Sequence, residues 1–428
     1  MKLKYSPHKL GLLTRLAIPQ NVIISLVTTL FLSVVSSGCS LLEISQQTKD
    51  VNQAGTISGS VAVESGSDAP VTILLFTKQD FAPQLERKYS LQGAGEFRFY
   101  AREGSYYVAA FQDTNRDNLY QQIEPATIFG GDDIFNATAL TLDSNGHIEL
   151  GKLLLKDPIS KNVNRDNISF DIKQDHTGET VSLDDARFSR EIGSLGLWKP
   201  ISFVDQVGIG LYMLSSYEVG RIPVIFIHGA GGTPLEFAEL AQSLDSSRFQ
   251  PWVLHYPSGL RLDIVSDYLV KSINQLESQY PFDSFYLIAH SMGGLVMRST
   301  VKKYYESEHQ PAIGLAMTIN SPMDGMASAE FGAKSSPIVV PSWRDIATNS
   351  KFLGEIRDWP WPNLIPYHLV FSYQSGDGDD GVVDLESQIP LSLQAEATRL
   401  YGFNAGHATI LRNPQFIREF QYILNKSL

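Results

Sequence analysis

The sequence predicts an α/β protein: a mostly parallel sheet with helices on both faces, preceded by a small all-β sandwich. Three observations carry this reading. From about Gly220 onward, short apolar strand-like runs alternate with segments of helical period. From Thr56 to about residue 157, short alternating runs are broken by Gly, Asp, Asn and Pro with no helical period between them. The chain has 428 residues, more than one compact core ordinarily holds.

In chain order, Lys2, Lys4, Lys9 and Arg15 precede the apolar run Val22 to Val35, and Ser36-Ser37-Gly38-Cys39 follows. A basic segment, an apolar segment and then small residues form a secretory signal over residues 1–38. Fourteen apolar residues are short of the roughly twenty a transmembrane helix needs. The junction resembles a bacterial lipobox, although Ser36 stands where Leu is usual. The resemblance implies lipidation at Cys39 and a lipid-anchored protein of the cell envelope, in the outer membrane if the source is Gram-negative, as Ser40 would favour. Cys39 is the only cysteine, so no intrachain disulfide can form. Residues 39–55 are polar and read as a tether.

Strand candidates in the all-β module, 56–157, are Ser60–Glu64, Pro70–Phe76, Glu96–Tyr100, Ser105–Phe111, Ala139–Leu142 and Gly151–Leu155. Their rhythm resembles the carboxypeptidase-regulatory or transthyretin-like modules placed before secreted enzymes. Within it, Asp113, Asn115, Asp117, Leu119, Gln121 and Glu124 have the spacing of a calcium loop, since hard cations need six to eight converging oxygens. The competing reading is a solvated Asp/Asn-rich turn. Residues 158–200 read as linker and lead-in, and 201–428 as the second domain.

In that domain, strand Ile222–Ile227 precedes a helix opening at Thr233, where Thr233, Pro234 and Glu236 read as a capping box. Strand Trp252–Tyr256 precedes a helix whose Leu262, Val265, Leu269, Ile273 and Leu276 keep the helical period. Further strands are Ile313–Ile319, Tyr367–Tyr373 and Thr398–Tyr401, and a last helix starts at Asn413-Pro414. An insertion at about 322–366, with Phe331, Trp343, Phe352, Trp359 and Trp361, reads as a lid or as an aromatic core of its own.

A net charge of −12, with no basic stretch after the first fifteen residues, argues against a nucleic-acid partner. No H-E-x-x-H zinc pattern occurs.

The chemistry is declared by Phe285-Tyr-Leu-Ile-Ala-His290-Ser291-Met292-Gly293-Gly294. A serine between a buried strand and a helix sits on a sharp turn with its hydroxyl above the sheet edge, the geometry of G-x-S-x-G with Ala289 for the first glycine. His407, in the loop between the last strand and the last helix, is the candidate base. The candidate acid follows strand Tyr367–Tyr373, where Asp377, Asp379 and Asp380 compete.

These residues resemble those of α/β-hydrolase lipases and esterases over about Gly220 to the C-terminus. Asp380-Gly-Val-Val is similar to the family's acid motif, and His228-Gly-Ala-Gly-Gly232 to the oxyanion loop of small bacterial lipases. The resemblance implies a Ser291–His407–Asp380 triad and oxyanion donors on the N–H groups of Ala230 and Met292. It further implies cofactor-free hydrolysis of an ester, of lipid-like or hydrophobic character if the insertion covers an acyl chain. Acyl transfer, thioester hydrolysis or an inert fold with a binding role are the alternatives.

Overall fold

The computed structural model describes residues 41–64, 69–79, 82–91, 93–116, 120–121, 123–131, 137–156, 176–306, 312–335, 339–374 and 378–427. It divides into a first unit, Met1–Gln46, of which 41–46 are described and helical, and a second, Gln47–Leu428. The expected signal and Cys39 lie outside the described residues. Among the described residues, no helix is long and apolar enough to cross a membrane. Residues 47–52, read from sequence as part of a tether, are helical.

Eight strands follow: β1 (Gly55–Val63), β2 (Val71–Gln79), β3 (Ala82–Leu91), β4 (Gly95–Ala101), β5 (Gly104–Gln112), β6 (Ala126–Ile128), β7 (Leu140–Leu142) and β8 (His147–Leu155). They form two sheets, one in the order β4-β1-β8 and one in the order β3-β2-β5-β6 with β7 also paired to β5. Ile57, Phe97, Phe99 and Leu153 of the first sheet share one buried core with Ile73, Leu75, Val108 and Leu142 of the second. Strands β3 and β6 were not anticipated.

Residues 176–206 are ordered against the following sheet instead of forming a linker. The N–H groups of His176 and Gly178 donate to Ile209 and Leu211 (3.0 and 2.9 Å), and helices span Arg190–Trp198 and Pro200–Gln206. Phe188 and Phe203 are fully buried, with ring centres 5.1 and 4.9 Å from that of His255. Each such burial contributes about 1.5–3 kcal/mol, alongside the backbone pairing, toward holding this segment down. Residues from 176 onward thus pack with this sheet.

Its sheet comprises β9 (Gly210–Met213), β10 (Ile222–Ile227), β11 (Phe249–His255), β12 (Ser284–His290), β13 (Ala312–Ile319), β14 (Tyr367–Tyr373) and β15 (Arg399–Asn404). The order is β15-β14-β13-β12-β10-β11-β9, and every pairing is parallel except β11 with β9. The α/β-hydrolase fold expected from the sequence is present in this sheet and its helices. Alternation along each strand feeds two buried layers, as a sheet covered on both sides requires. Ile225, Ile227, Leu287 and Ala289 pack with the helix Leu262–Gln279, whereas Val224, Phe226, Tyr286 and Ile288 pack with Phe416, Phe420 and Ile423 of the last helix. That last helix, Pro414–Lys426, starts where proline at its first position and an Asn413 cap place it: Asn413 Oδ1 accepts from the N–H groups of Gln415 and Phe416.

The insertion between β13 and β14 is short helices, Ala327–Ser335, Pro341–Ile346 and Lys351–Arg357. Phe352, Leu353, Ile356 and Trp361 are buried in the main core, Trp359 packs against it, and the ring of Trp343 meets that of Trp198. Phe331 alone of the five aromatics is exposed, at 72%. Arg298, buried on the elbow helix Gly293–Glu306, donates to the carbonyls of Ile356 and Trp359 and pairs with Glu396 at 2.8 Å. Phe352, Trp359 and Trp361 thus pack into or against the main core and not into a core of the insertion's own.

Candidate active site

Parallel strands end at one edge of the sheet, and the loops after β10, β12, β14 and β15 carry the residues singled out in the sequence. Ser291 follows β12 with φ of 54°, in the left-handed region that a side chain ordinarily avoids. A residue held there costs about 1–3 kcal/mol, which the surroundings must over-determine. They do so by close approach. A side chain at Gly293 would place its Cβ 2.3 Å from the Ile227 carbonyl, and one at Gly294 would lie 2.1 Å from Ser321 Oγ. Ala289 at the first motif position is fully buried and pairs with Ile227 and Thr318 in neighbouring strands, so its methyl is accommodated.

His407 Nε2 lies 2.9 Å from Ser291 Oγ, and His407 Nδ1 lies 2.7 Å from Asp380 Oδ2. Asp380 is 1% exposed. Burial works to raise its pKa, but the His407 hydrogen bond and charge, with the N–H groups of Val383 and Val382, hold it below the usual carboxylate value. An ionised carboxylate only accepts, so Nδ1 carries the ring proton, Nε2 is the free base, and the serine hydroxyl donates to it. Of the rival acids, Asp379 Oδ1 accepts from the N–H of Gly381 at 2.8 Å, and Asp377 lies outside the described residues.

The backbone of His407 is also fixed. Its N–H donates to the Asp380 carbonyl at 2.8 Å. Its own carbonyl accepts from His290 Nε2 at 3.0 Å and from Asn320 Nδ2 at 3.1 Å.

In the His228–Gly232 loop, the Gly231 N–H donates to Ser258 Oγ and the Gly232 N–H to the Gly229 carbonyl. Among the described residues, the N–H groups of Ala230 and Met292 donate to no protein acceptor. Met292 is 1% exposed, and a buried N–H without an acceptor is costly unless something else takes it. Gly229 passes directly over the nucleophile: a Cβ there would stand 2.7 Å from Ser291 Cβ. The loop is braced by Tyr256, whose hydroxyl donates to the His228 carbonyl at 2.7 Å and whose ring stacks on that of His228 at 4.3 Å. Burial pushes the His228 ring's pKa down, so it serves here as a neutral packing group.

Three contributors escaped the sequence reading. Glu236, taken there for a capping box, makes no such cap; its Oε1 accepts from His290 Nδ1 at 3.0 Å, and Thr233 caps nothing with its side chain. His290 and Asn320 sit at the ends of β12 and β13, and no spacing signal pairs them with a loop more than eighty residues away. His368, within β14, bonds Tyr401 Oη at 3.0 Å, and burial lowers its pKa to about 4.

Of the six calcium-loop residues, Asp117 and Leu119 lie outside the described residues. Asp113 and Glu124 are buried. Glu124 Oε1 accepts from the N–H and hydroxyl of Thr114, and its Oε2 from the N–H of Gln121. Asn115 and Gln121 also have partners of their own. Among the described residues, no group of three or more His, Cys, Asp or Glu side chains is placed to hold a metal ion.

A family model described as "Alpha/beta hydrolase of unknown function (DUF915)" matches residues 261–353, a span that holds Ser291 and Met292 but not Ala230, Asp380 or His407. No curated protein matches the chain. Among solved structures, a gene product of Listeria innocua is similar at 19% identity and TM-score 0.39, over 48% of this chain and 94% of that one. Aspergillus fumigatus lipase B is similar at 20% and 0.38, over 49% and 53% of the two chains. Phospholipase PlaB from Legionella pneumophila is similar at 17% and 0.34, over 39% and 44%.

Proposed function

We propose that this protein is a serine carboxylester hydrolase acting through an acyl-enzyme. The single observation that carries the proposal is the unbroken hydrogen-bond relay Ser291–His407–Asp380, at 2.9 and 2.7 Å, on three loops at one sheet edge. Nucleophile, base and orienting carboxylate are then in the arrangement acyl transfer needs.

Ser291 Oγ attacks the ester carbonyl carbon while its proton passes to His407 Nε2. Asp380 holds the ring's orientation and stabilises the imidazolium so formed. The carbonyl oxygen becomes an oxyanion, for which the unengaged N–H groups of Met292 and Ala230 are the donors. Collapse of the tetrahedral intermediate expels the alkoxide, which takes the proton from His407. Water then repeats the sequence on the acyl-serine, giving the acid and free Ser291. No step calls for a cofactor.

For substrate we propose a hydrophobic or lipid-like ester, supported by the apolar insertion beside the site and by the lipobox-like Ser36–Cys39 that would place the enzyme on a membrane of the cell envelope. The N-terminal pair of sheets is, in this reading, a β-sandwich module without a part in the chemistry.

The test is turnover of p-nitrophenyl esters of graded chain length by the parent and by Ser291→Ala. Loss of about 10³-fold or more, with an unchanged circular dichroism spectrum, is expected, together with a preference for longer acyl chains. Retained turnover in Ser291→Ala would overturn the assignment. Acyl transfer to an added alcohol in preference to water would make the protein a transferase on the same triad.

A further inference from the structure

We infer that His290, held by Glu236, is a positioning residue that fixes the base His407 through the base's own carbonyl oxygen. The inference rests on the reading of Ser291 and His407 as nucleophile and base.

The argument is one of donors and acceptors. His290 is 4% exposed, and its two ring nitrogens face two oxygens: Nε2 the His407 carbonyl at 3.0 Å, Nδ1 Glu236 Oε1 at 3.0 Å. A carbonyl can only accept, so Nε2 carries a proton. An ionised carboxylate can only accept as well, so Nδ1 carries one too, and the ring is an imidazolium paired with Glu236. Burial alone would lower the pKa of this ring, but the Glu236 charge and hydrogen bond, the His407 carbonyl and Asp380 together raise it. The remaining titratable rings nearby are His407, with its centre 4.9 Å away, and His228, kept neutral by burial.

A merely structural histidine would tie its own strand to a neighbouring element. This one, immediately before the nucleophile, instead reaches the residue that must deprotonate it. With Asn320 Nδ2 on the same carbonyl, and the His407 N–H on the Asp380 carbonyl, the base is fastened on both sides of its Cα. Its imidazole then has little left to vary but side-chain rotation, which Asp380 sets. The neighbouring charge is also balanced. A lone imidazolium beside His407 would oppose formation of a second one during attack, and Glu236 cancels it. Glu236 lies tightly under the oxyanion loop, so that a Cβ at Gly232 would meet its Oε2 at 2.5 Å.

The experiment compares the full-length parent with His290→Leu, His290→Gln and the double variant His290→Gln/Glu236→Gln. Each is assayed for fluorophosphonate labelling of Ser291 and for kcat, KM and the pH profile of kcat/KM on a p-nitrophenyl ester. His290→Leu is expected to lose about 10- to 100-fold in kcat with KM nearly unchanged and labelling slowed in parallel. In His290→Gln the amide nitrogen can stand where Nε2 stood, so most of kcat returns. Glu236 has then lost its counter-charge and faces the base alone. The negative charge favours protonated His407, and the rising, acid-side limb of kcat/KM moves to higher pH, by about half a unit or more. The double variant removes that charge and brings the limb back. The inference is overturned if His290→Leu keeps kcat within about twofold of the parent, if glutamine restores no more than leucine, or if the limb in His290→Gln does not move. Should His290→Leu fail to fold, the limb positions of the two glutamine-containing variants decide alone. A parent that neither labels nor turns over ester would instead remove the nucleophile assignment, a separate and visible failure.

Discussion

Two buried carboxylates, one in each half of the molecule, show what separates a site from a well-made loop. Glu124 between β5 and β6 is fully buried, and both of its oxygens are engaged by donors of its own turn, the N–H and hydroxyl of Thr114 and the N–H of Gln121. Asp380 after β14 is buried to nearly the same degree and also staples its own loop, with Oδ1 accepting from the N–H groups of Val382 and Val383. The difference is one oxygen: Asp380 Oδ2 is left over and meets an imidazole whose other nitrogen meets a serine. Burial of a charge indicates only that it is compensated. A chemical role is indicated by what remains after the local turn has taken its share.

Three substitutions sharpen or break this comparison. The largest effect is expected from Asp380→Asn, which can keep the loop contacts at its carbonyl oxygen while presenting a donor to His407. The ring would then be held in the wrong tautomer, and ester turnover should fall about 10⁴-fold with the melting temperature little changed. A loss below tenfold would put Asp380 in the same class as Glu124. Next is Gly229→Ala, whose methyl would stand 2.7 Å from Ser291 Cβ. Displacing the nucleophile by a fraction of an ångström should lower kcat by about 10²-fold, and normal turnover would mean that the oxyanion loop has room the structure denies it. The smallest effect on activity, and the clearest contrast, is expected from Glu124→Gln. It turns one of the two oxygens into a donor facing an N–H group, which should cost about 1–3 kcal/mol of stability in a denaturant titration and leave kcat/KM unaltered. A drop in kcat/KM at unchanged stability would tie the N-terminal sheets to the reaction.

The same contrast explains what could be read from the chain. Ser291 and His407 were legible because elbow and loop chemistry is local: a buried run, small residues, a turn, then a helix. Asp380 was legible only beside its rivals, since three acids within four residues share the same sequence signals. Glu236 was misread because a glutamate three residues after a threonine has the spacing of a cap, and nothing in that spacing reports a histidine on another strand. β3, with Glu86, Arg87 and Lys88 in its middle, lacks the alternation that marked its neighbours. The segment 158–200 was read as linker and lead-in because its composition is largely polar, and Phe188 and Phe203 are too far apart to form a pattern.

Arg298 has a mechanical consequence. Its guanidinium leaves the elbow helix to engage the carbonyls of Ile356 and Trp359 and the carboxylate of Glu396, all in a buried place. Peeling this end of the insertion away would strand a cation without acceptors, at a cost of several kcal/mol. The insertion and the helix behind the nucleophile therefore open together or not at all, as one cooperative unit in hydrogen exchange.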